Sequence, residues 1–319
     1  MRERLDPPAA LLALATAQAG VVSAEQADLV GFGRHSRQRL LEQGQWRRLE
    51  GPVYAVHPLE VDWLGTAWAG ILLGGASSRL AGLAAAHLYQ LVEEPPRSLD
   101  VLVPVTARAR IRPPWVFTRE RPGARSPLSP GHPPRTTVED TVLDLCDGSD
   151  PGAVVGWVTQ AVGSGRTSAV RLSRALAGRH RFASRAFMAE ILGDVGEGVH
   201  SPLELRYLRD VERPHGLPRG DRQNWSRHRH RRDVVYEEFG LVVELDGRLG
   251  HVGLGKFRDM NRDNLAATSG ELTLRYGSAD VAGSACVVAW QVFTVLTGRG
   301  YRDPFRRCPN CALVPDGAF

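Results

Sequence analysis

Glu244 and Asp246 stand two residues apart in the run Leu241-Val-Val-Glu-Leu-Asp246. Successive side chains of a strand point to opposite faces, so these two carboxylates share one face while Val243 and Leu245 share the other. Asp233 opens a second strand-like run, Asp233-Val-Val-Tyr236, and antiparallel pairing of the two runs would bring a third acid close. Carboxylates gathered in this way repel one another unless a cation neutralises them, and a hard divalent ion such as Mg2+ or Mn2+ takes oxygen ligands. An ion held there polarises a phosphodiester and lowers the pKa of a bound water, which is the chemistry of metal-assisted hydrolysis. The bland alternative is that strand ends carry exposed acids and that Asp246-Gly247 only marks a turn. Context favours the functional reading, because a further acid, Glu204, sits on an upstream helix. The basic run Arg227-His-Arg-His-Arg-Arg232, with Arg229 and Arg231, lies directly before Asp233. It reads as a phosphate-contacting strand, or equally as a solvated edge strand whose charges discourage sheet-to-sheet pairing.

The elements that must hold these residues follow from local pattern. Ser201-Pro-Leu-Glu204 starts a helix with proline at its first position. Strands at 233–236 and 241–246 flank Glu237-Glu-Phe-Gly240, and a glycine-rich loop covers 247–255. A charged amphipathic helix at 256–267, a strand at 272–276 and an apolar helix at 281–296 complete the order α-β-β-α-β-α, a small α/β sheet with helices on its faces.

The run from Arg232 to Gly247, with His251, Arg258-Asp259, Arg262-Asp-Asn-Leu265 and Leu274-Arg-Tyr276, resembles a family related to the very-short-patch-repair endonucleases, within the PD-(D/E)XK nuclease superfamily. The resemblance implies a restriction-endonuclease-like domain over 199–306, with Asp233 and Glu244 as metal ligands and Glu204 as the supporting helix acid. One departure stands out: the superfamily's lysine position, two after the second acid, holds Asp246. His251 is then the candidate for handling the proton, since a neutral imidazole accepts one near pH 7, and Lys256 is an alternative source of positive charge. Gly250-His-Val-Gly-Leu-Gly-Lys256 imitates a phosphate-binding loop, but Phe257 stands where a magnesium-binding Ser or Thr is required.

A second nucleic-acid signal lies at the N-terminus. Residues 1–58 read as helix, helix, turn, helix and hairpin, the order of a winged helix-turn-helix. Ser23 with Gln26 forms a capping box for the second helix, and a third helix at about 36–43 turns Leu40 and Leu41 inward with Arg34, Arg37 and Arg39 outward. Arg47 and Arg48 fall on the wing, which makes five arginines against the single acid Glu42 between residues 34 and 48. Docking to a protein is the competing use of such a module. Gly20-Val-Val-Ser-Ala-Glu-Gln-Ala27, Arg39-Leu-Leu41, Trp46-Arg-Arg-Leu49 and Gly51-Pro-Val-Tyr54 resemble the N-terminal domain of AbiEi-type antitoxins. Ser77-Ser-Arg-Leu-Ala-Gly-Leu-Ala-Ala-Ala86 and Thr136-Thr-Val-Glu-Asp140 are similar to the middle region of those proteins. This resemblance implies promoter binding, and it admits a homodimer and a cognate toxin as further partners.

Residues 59–198 read as a mainly helical middle domain, with strands at 99–103 and 115–119 and a proline-rich stretch at 113–134. The net charge of +5 leans only weakly towards an anionic partner, because arginine with abundant Ala and Gly points to base composition. No apolar run approaches the length of a membrane span and no signal peptide is visible, so the cytoplasm is expected. Four cysteines make no disulfide framework in a chain of 319 residues. Cys146 and Cys286 read as core residues. Cys308 and Cys311 form one C-x-x-C in a tail at 307–319; zinc needs four ligands and no second pair follows, so frayed terminal thiols are expected there, with metal binding by the pair as the alternative. The expectation as a whole is a multi-domain α/β protein that binds DNA and cleaves it with Mg2+ or Mn2+. Its rival is a type IV toxin-antitoxin regulator whose nuclease fold is inert.

Overall fold

The computed structural model describes residues 6–107, 111–196, 201–225, 231–246 and 271–313. The chain mixes helices and strands in small sheets and divides into two compact units, Met1–Asp150 with Ser164–Phe187, and Pro151–Gly163 with Met188–Phe319. Among the described residues, no helix is long and apolar enough to cross a membrane.

In the first unit, local capping sets the N-terminal module. Helices α1 (Ala9–Ala17), α2 (Ala24–Leu29) and α3 (Arg34–Glu42) surround a small sheet of β1 (Val21–Ser23), β2 (Arg47–Glu50) and β3 (Val53–Ala55), in the order β1-β3-β2. Ser23 Oγ accepts the Gln26 N–H at 3.1 Å and Gln26 Oε1 accepts the Ser23 N–H at 2.9 Å, closing the capping box read from sequence. Leu11, Phe32, Leu40, Trp46 and Tyr54 form its core. The short strand β1 escaped the sequence reading. It is three residues long and gains its identity only by pairing with β3.

Beyond the module lie α4 (Trp63–Gly74), β4 (Arg79–Ala81), α5 (Gly82–Leu88), β5 (Leu99–Pro104), β6 (Ile111–Arg112), β7 (Trp115–Glu120) and α6 (Val138–Cys146). The structure adds a four-stranded sheet, β4-β5-β7-β6, to a stretch read as mainly helical. The strands at 99–103 and 115–119 were legible, whereas β4 interrupts the Ala/Leu-rich run after the left-handed Gly75 and pairs with β5. Gly70 on α4 is a close-approach glycine, since a Cβ there would lie 2.5 Å from Trp115 Cδ1. Helix α7 (Pro151–Gly163) belongs to the second unit and α8 (Ala169–Gly178) to the first.

The second unit continues through α9 (Arg185–Gly196), of which the residues from Met188 belong here, and α10 (Pro202–Arg206). Ser201 Oγ caps α10 by accepting the Glu204 N–H at 3.0 Å, and Pro202 occupies the first turn. The helix widens into a π-helical segment at Tyr207–Glu212 and ends as α11 (Arg213–His215), stopped by Gly216 in the left-handed region. Four strands follow, β8 (Asp221–Trp225), β9 (Arg231–Tyr236), β10 (Leu241–Asp246) and β11 (Leu272–Gly277), ordered β11-β10-β9-β8. β8 pairs antiparallel with β9 and β9 with β10, whereas β11 runs parallel to β10. A 3-10 turn at Glu237–Phe239 and Gly240 at φ 57° make the tight β9–β10 connection, which fixes the register. Helices α12 (Ser278–Gly283) and α13 (Ala285–Gly298) replace the single helix expected at 281–296, with Ser284 between them.

The core of this unit takes one sheet face, Val234, Tyr236, Leu241, Val243, Leu245 and Tyr276, against Tyr207 and Val211 of the π-helical segment and Val288, Val292 and Leu296 of α13. Full burial of each such side chain contributes about 1.5–3 kcal/mol, which is ample to hold the strands in one register.

Candidate functional site

Alternation along β9 and β10 turns Asp233 and Glu244 away from the core face that Val234 and Val243 occupy. The antiparallel register pairs Val243 with Val234, and one step further along it Asp233 stands opposite Glu244. Directly opposed residues of an antiparallel pair share a face, so these two acids are neighbours. Asp233 is half-buried, and its Oδ2 accepts the backbone N–H of Leu245 at 2.7 Å, which ties it to the peptide that follows Glu244. Glu244 is also partly buried and accepts from Arg275 Nε at 2.8 Å, across the parallel pairing with β11. The adjoining pair on the same face, Val235 and Val242, is buried, so the acids border an apolar patch. Two carboxylates side by side on rigid strands offer hard oxygen donors, which suits Mg2+ or Mn2+ and does not suit a soft ion.

The remaining expected members of the site fare differently. Glu204 is buried in the first turn of α10, and its neighbours Leu203 and Tyr207 pack on the core face, opposite to the face that carries Asp233 and Glu244. Asp246 ends β10 in register with Gly277, and its side chain lies outside the description. His251, Lys256 and Arg229 lie outside the described residues, as does the helix expected at 256–267. Arg231 begins β9 opposite Trp225, again without a described side chain. Among the described residues, Asp233, Glu244 and Glu204 do not close into a group of three ligands able to share one ion.

Arg222, upstream of the basic run at 227–232, belongs to the interior. Arg222 on β8 turns inward, with its side chain 1% exposed, and donates from Nη2 to Glu212 Oε2 at 2.5 Å. Glu212 Oε1 accepts the Tyr236 hydroxyl at 2.7 Å and the Gly220 N–H at 3.3 Å, and the Tyr207 hydroxyl lies 3.0 Å from that of Tyr236. Burial raises the Glu212 carboxyl above the ordinary carboxylate range, against the opposing pull of Arg222. Burial also lifts both tyrosines well above theirs, so they remain neutral donors. Gly220 is required here, because a Cβ would fall 2.3 Å from Val234 Cγ1. This network locks β8 and β9 to the helix.

A second set of ligand-type side chains was only half legible in the sequence, which showed the C-x-x-C pair and not its partners. His215, Cys286, Cys308 and Cys311 place their ligand atoms within 4.8 Å of one another. Cys311 is buried rather than frayed, because the tail folds back onto the end of α11: the Arg306 N–H bonds to the His215 carbonyl at 3.0 Å. Cys286 is buried as expected, and Cys146 lies in the core of the first unit at the end of α6. The available signal was the C-x-x-C pair, but its partners lie far away in the chain, and only the fold brings them together.

In the N-terminal module, one expected outward residue is corrected. Arg37 is buried and donates from Nη1 to Asp28 Oδ1 at 2.6 Å and to the Phe32 carbonyl at 2.7 Å, because it lies on the same stripe of α3 as Leu40. That bond holds the Asp28 carboxyl below its usual range. Arg39 is largely covered and lies 3.7 Å from Asp6. Arg34, His35 and Gln38 are exposed along the other stripe, and Gln38 is bonded to Glu42 at 2.9 Å. On the hairpin, Arg48 is exposed above the Tyr54 ring at 5.4 Å, while Arg47 lies 3.7 Å from Glu60.

No family model matches the chain, and no curated protein matches it either.

Its chemistry is therefore read from its own residues. The first unit also holds an open cleft of about 920 Å³ lined by Arg125, Arg171, Arg174 and Arg179 together with Glu139 and Asp140. Arg125 pairs with Asp144, Arg171 with Glu139, and Arg179 with both Asp140 and Asp144, so most of that positive charge is spent within the wall.

Proposed function

We propose that the chain is a DNA-binding protein whose second unit hydrolyses DNA phosphodiesters with the aid of a divalent cation. The observation that carries this reading is the register of β9 against β10, which sets Asp233 and Glu244 side by side on one face. The four-stranded sheet with its parallel β11 and covering helices accords with the nuclease-like domain read from sequence. Asp233 and Glu244 would hold Mg2+ or Mn2+, which supplies Lewis acidity and an acidified water. The Leu245 N–H orients Asp233, and Arg275 orients Glu244. Asp246 and His251 stay the candidates for positioning or deprotonating the water. We read the N-terminal module as a winged helix-turn-helix that presents Arg34, His35 and Gln38 to the major groove and Arg48 to the backbone. Arg37 serves that module from within. A DNA substrate and four unbridged cysteines fit a reducing cytoplasm.

A second reading, an antitoxin-like regulator with an inert nuclease fold, is favoured by one contact: Arg275 already neutralises Glu244 from within the chain. Incubating the purified full chain with supercoiled plasmid, with and without Mg2+ or Mn2+, separates the two. Nicking that depends on the ion supports hydrolysis, whereas binding to promoter DNA with no nicking under either ion supports the regulator.

A further inference from the structure

We propose that His215, Cys286, Cys308 and Cys311 form a structural zinc site that staples the C-terminal tail to the end of α11. The donor set is the soft and borderline one that zinc selects, three thiols and one imidazole. The spacing fits as well. Tetrahedral zinc with Zn–S near 2.3 Å and Zn–N near 2.0–2.1 Å sets ligand atoms about 3.8 Å apart for two sulfurs and about 3.6 Å apart for sulfur and nitrogen. The Sγ atoms of Cys286 and Cys308 are 3.6 Å apart, those of Cys308 and Cys311 are 3.8 Å apart, and Cys311 Sγ lies 3.4 Å from His215 Nε2. A disulfide needs about 2.05 Å, so these sulfurs are not bridged, and three thiols cannot all pair among themselves.

The histidine is prepared for ligation. Its Nδ1 lies 2.8 Å from the Val211 carbonyl, a bond that only Nδ1–H can donate, which leaves the Nε2 lone pair facing the sulfurs. The ring is fully buried and stacks on Phe305 at 5.2 Å. Four protein ligands fill a tetrahedron and leave no position open to a water, so the role is structural, as in closed zinc sites. The whole sheet β8–β11 lies in the chain between His215 and Cys286, and the cluster gathers the end of α11, the first turn of α13 and the tail. Zinc therefore closes the long loop that contains Asp233 and Glu244. The site is distinct in chemistry from that acid pair and does not rest on the nuclease reading.

The test is the metal content of the full chain, purified without chelator from zinc-supplemented cells and measured by inductively coupled plasma mass spectrometry. About one zinc per chain is expected. Retention should fall at least tenfold in Cys308→Ser and Cys311→Ser, and stay unchanged in Cys146→Ser and in Asp233→Asn. Because a ligand variant can misfold for other reasons, cobalt is exchanged into the wild-type chain as well. The intense visible absorption of tetrahedral cobalt with thiolate charge transfer is expected. Wild-type protein without stoichiometric zinc and without that cobalt spectrum would overturn the proposal. Undiminished zinc in Cys311→Ser, or a disulfide linking Cys308 to Cys286 or Cys311 in freshly purified protein, would overturn it too.

Discussion

Arg37 points its guanidinium into the N-terminal module, 2.6 Å from Asp28 and 2.7 Å from the Phe32 carbonyl, while Arg34 one turn earlier stands in solvent. Two arginines on one helix thus take opposite tasks, and their substitutions should separate. Arg37→Ala strands the buried Phe32 carbonyl and is expected to destabilise the first unit by about 1–2 kcal/mol, seen as a lower Tm. Arg34→Ala should leave Tm within about a degree, since exposed changes of this kind are usually within ±0.5 kcal/mol. Its DNA affinity should fall several-fold, with a shallower salt dependence. Equal losses of Tm in both variants would contradict this division.

Glu212 and Arg222 form a buried ion pair, and removing one partner leaves the other charged and unsolvated. Glu212→Gln is expected to cost about 3–5 kcal/mol in urea unfolding, and Arg222→Met a comparable amount. The double variant should recover much of the loss, because packed neutral groups replace a pair whose desolvation was costly. Additive losses in the double variant would show that the two side chains act separately.

Cys146 lies in an apolar surrounding that pushes its thiol up to about 12. The reactive species is the thiolate, so at pH 8 only about one molecule in ten thousand carries it. In folded protein, Cys146 should therefore resist iodoacetamide, as read by peptide mass spectrometry, and become labelled only in denaturant. Rapid native-state labelling at pH 8 would place that side chain in a different environment.

Much of this architecture was legible because local physics decided it. The Ser23–Gln26 capping box, the Ser201–Pro202 helix start and the β9 and β10 runs each rest on contacts a few residues apart. The acid pair was legible for the same reason, since alternation fixes faces and the short turn through Gly240 fixes register. Long-range pairing was not legible. β1 is a strand only because β3 lies beside it, and β4 only because β5 does. Arg37 looked like a surface cation because its counter-ion, Asp28, comes from another element. The His215 and Cys286 partners of the C-x-x-C pair were hidden in the same way.

The central claim is that Asp233 and Glu244 jointly hold the ion that cleaves DNA. Its most direct test is Mg2+-dependent nicking by Asp233→Asn and Glu244→Gln under conditions where the wild-type chain nicks supercoiled plasmid. Both substitutions keep size and remove one negative charge. Nicking should fall at least a hundredfold in each, about 2.7 kcal/mol in the barrier, while DNA binding by the N-terminal module stays at the wild-type level. Wild-type nicking rates in either variant, at unchanged magnesium, would contradict the assignment.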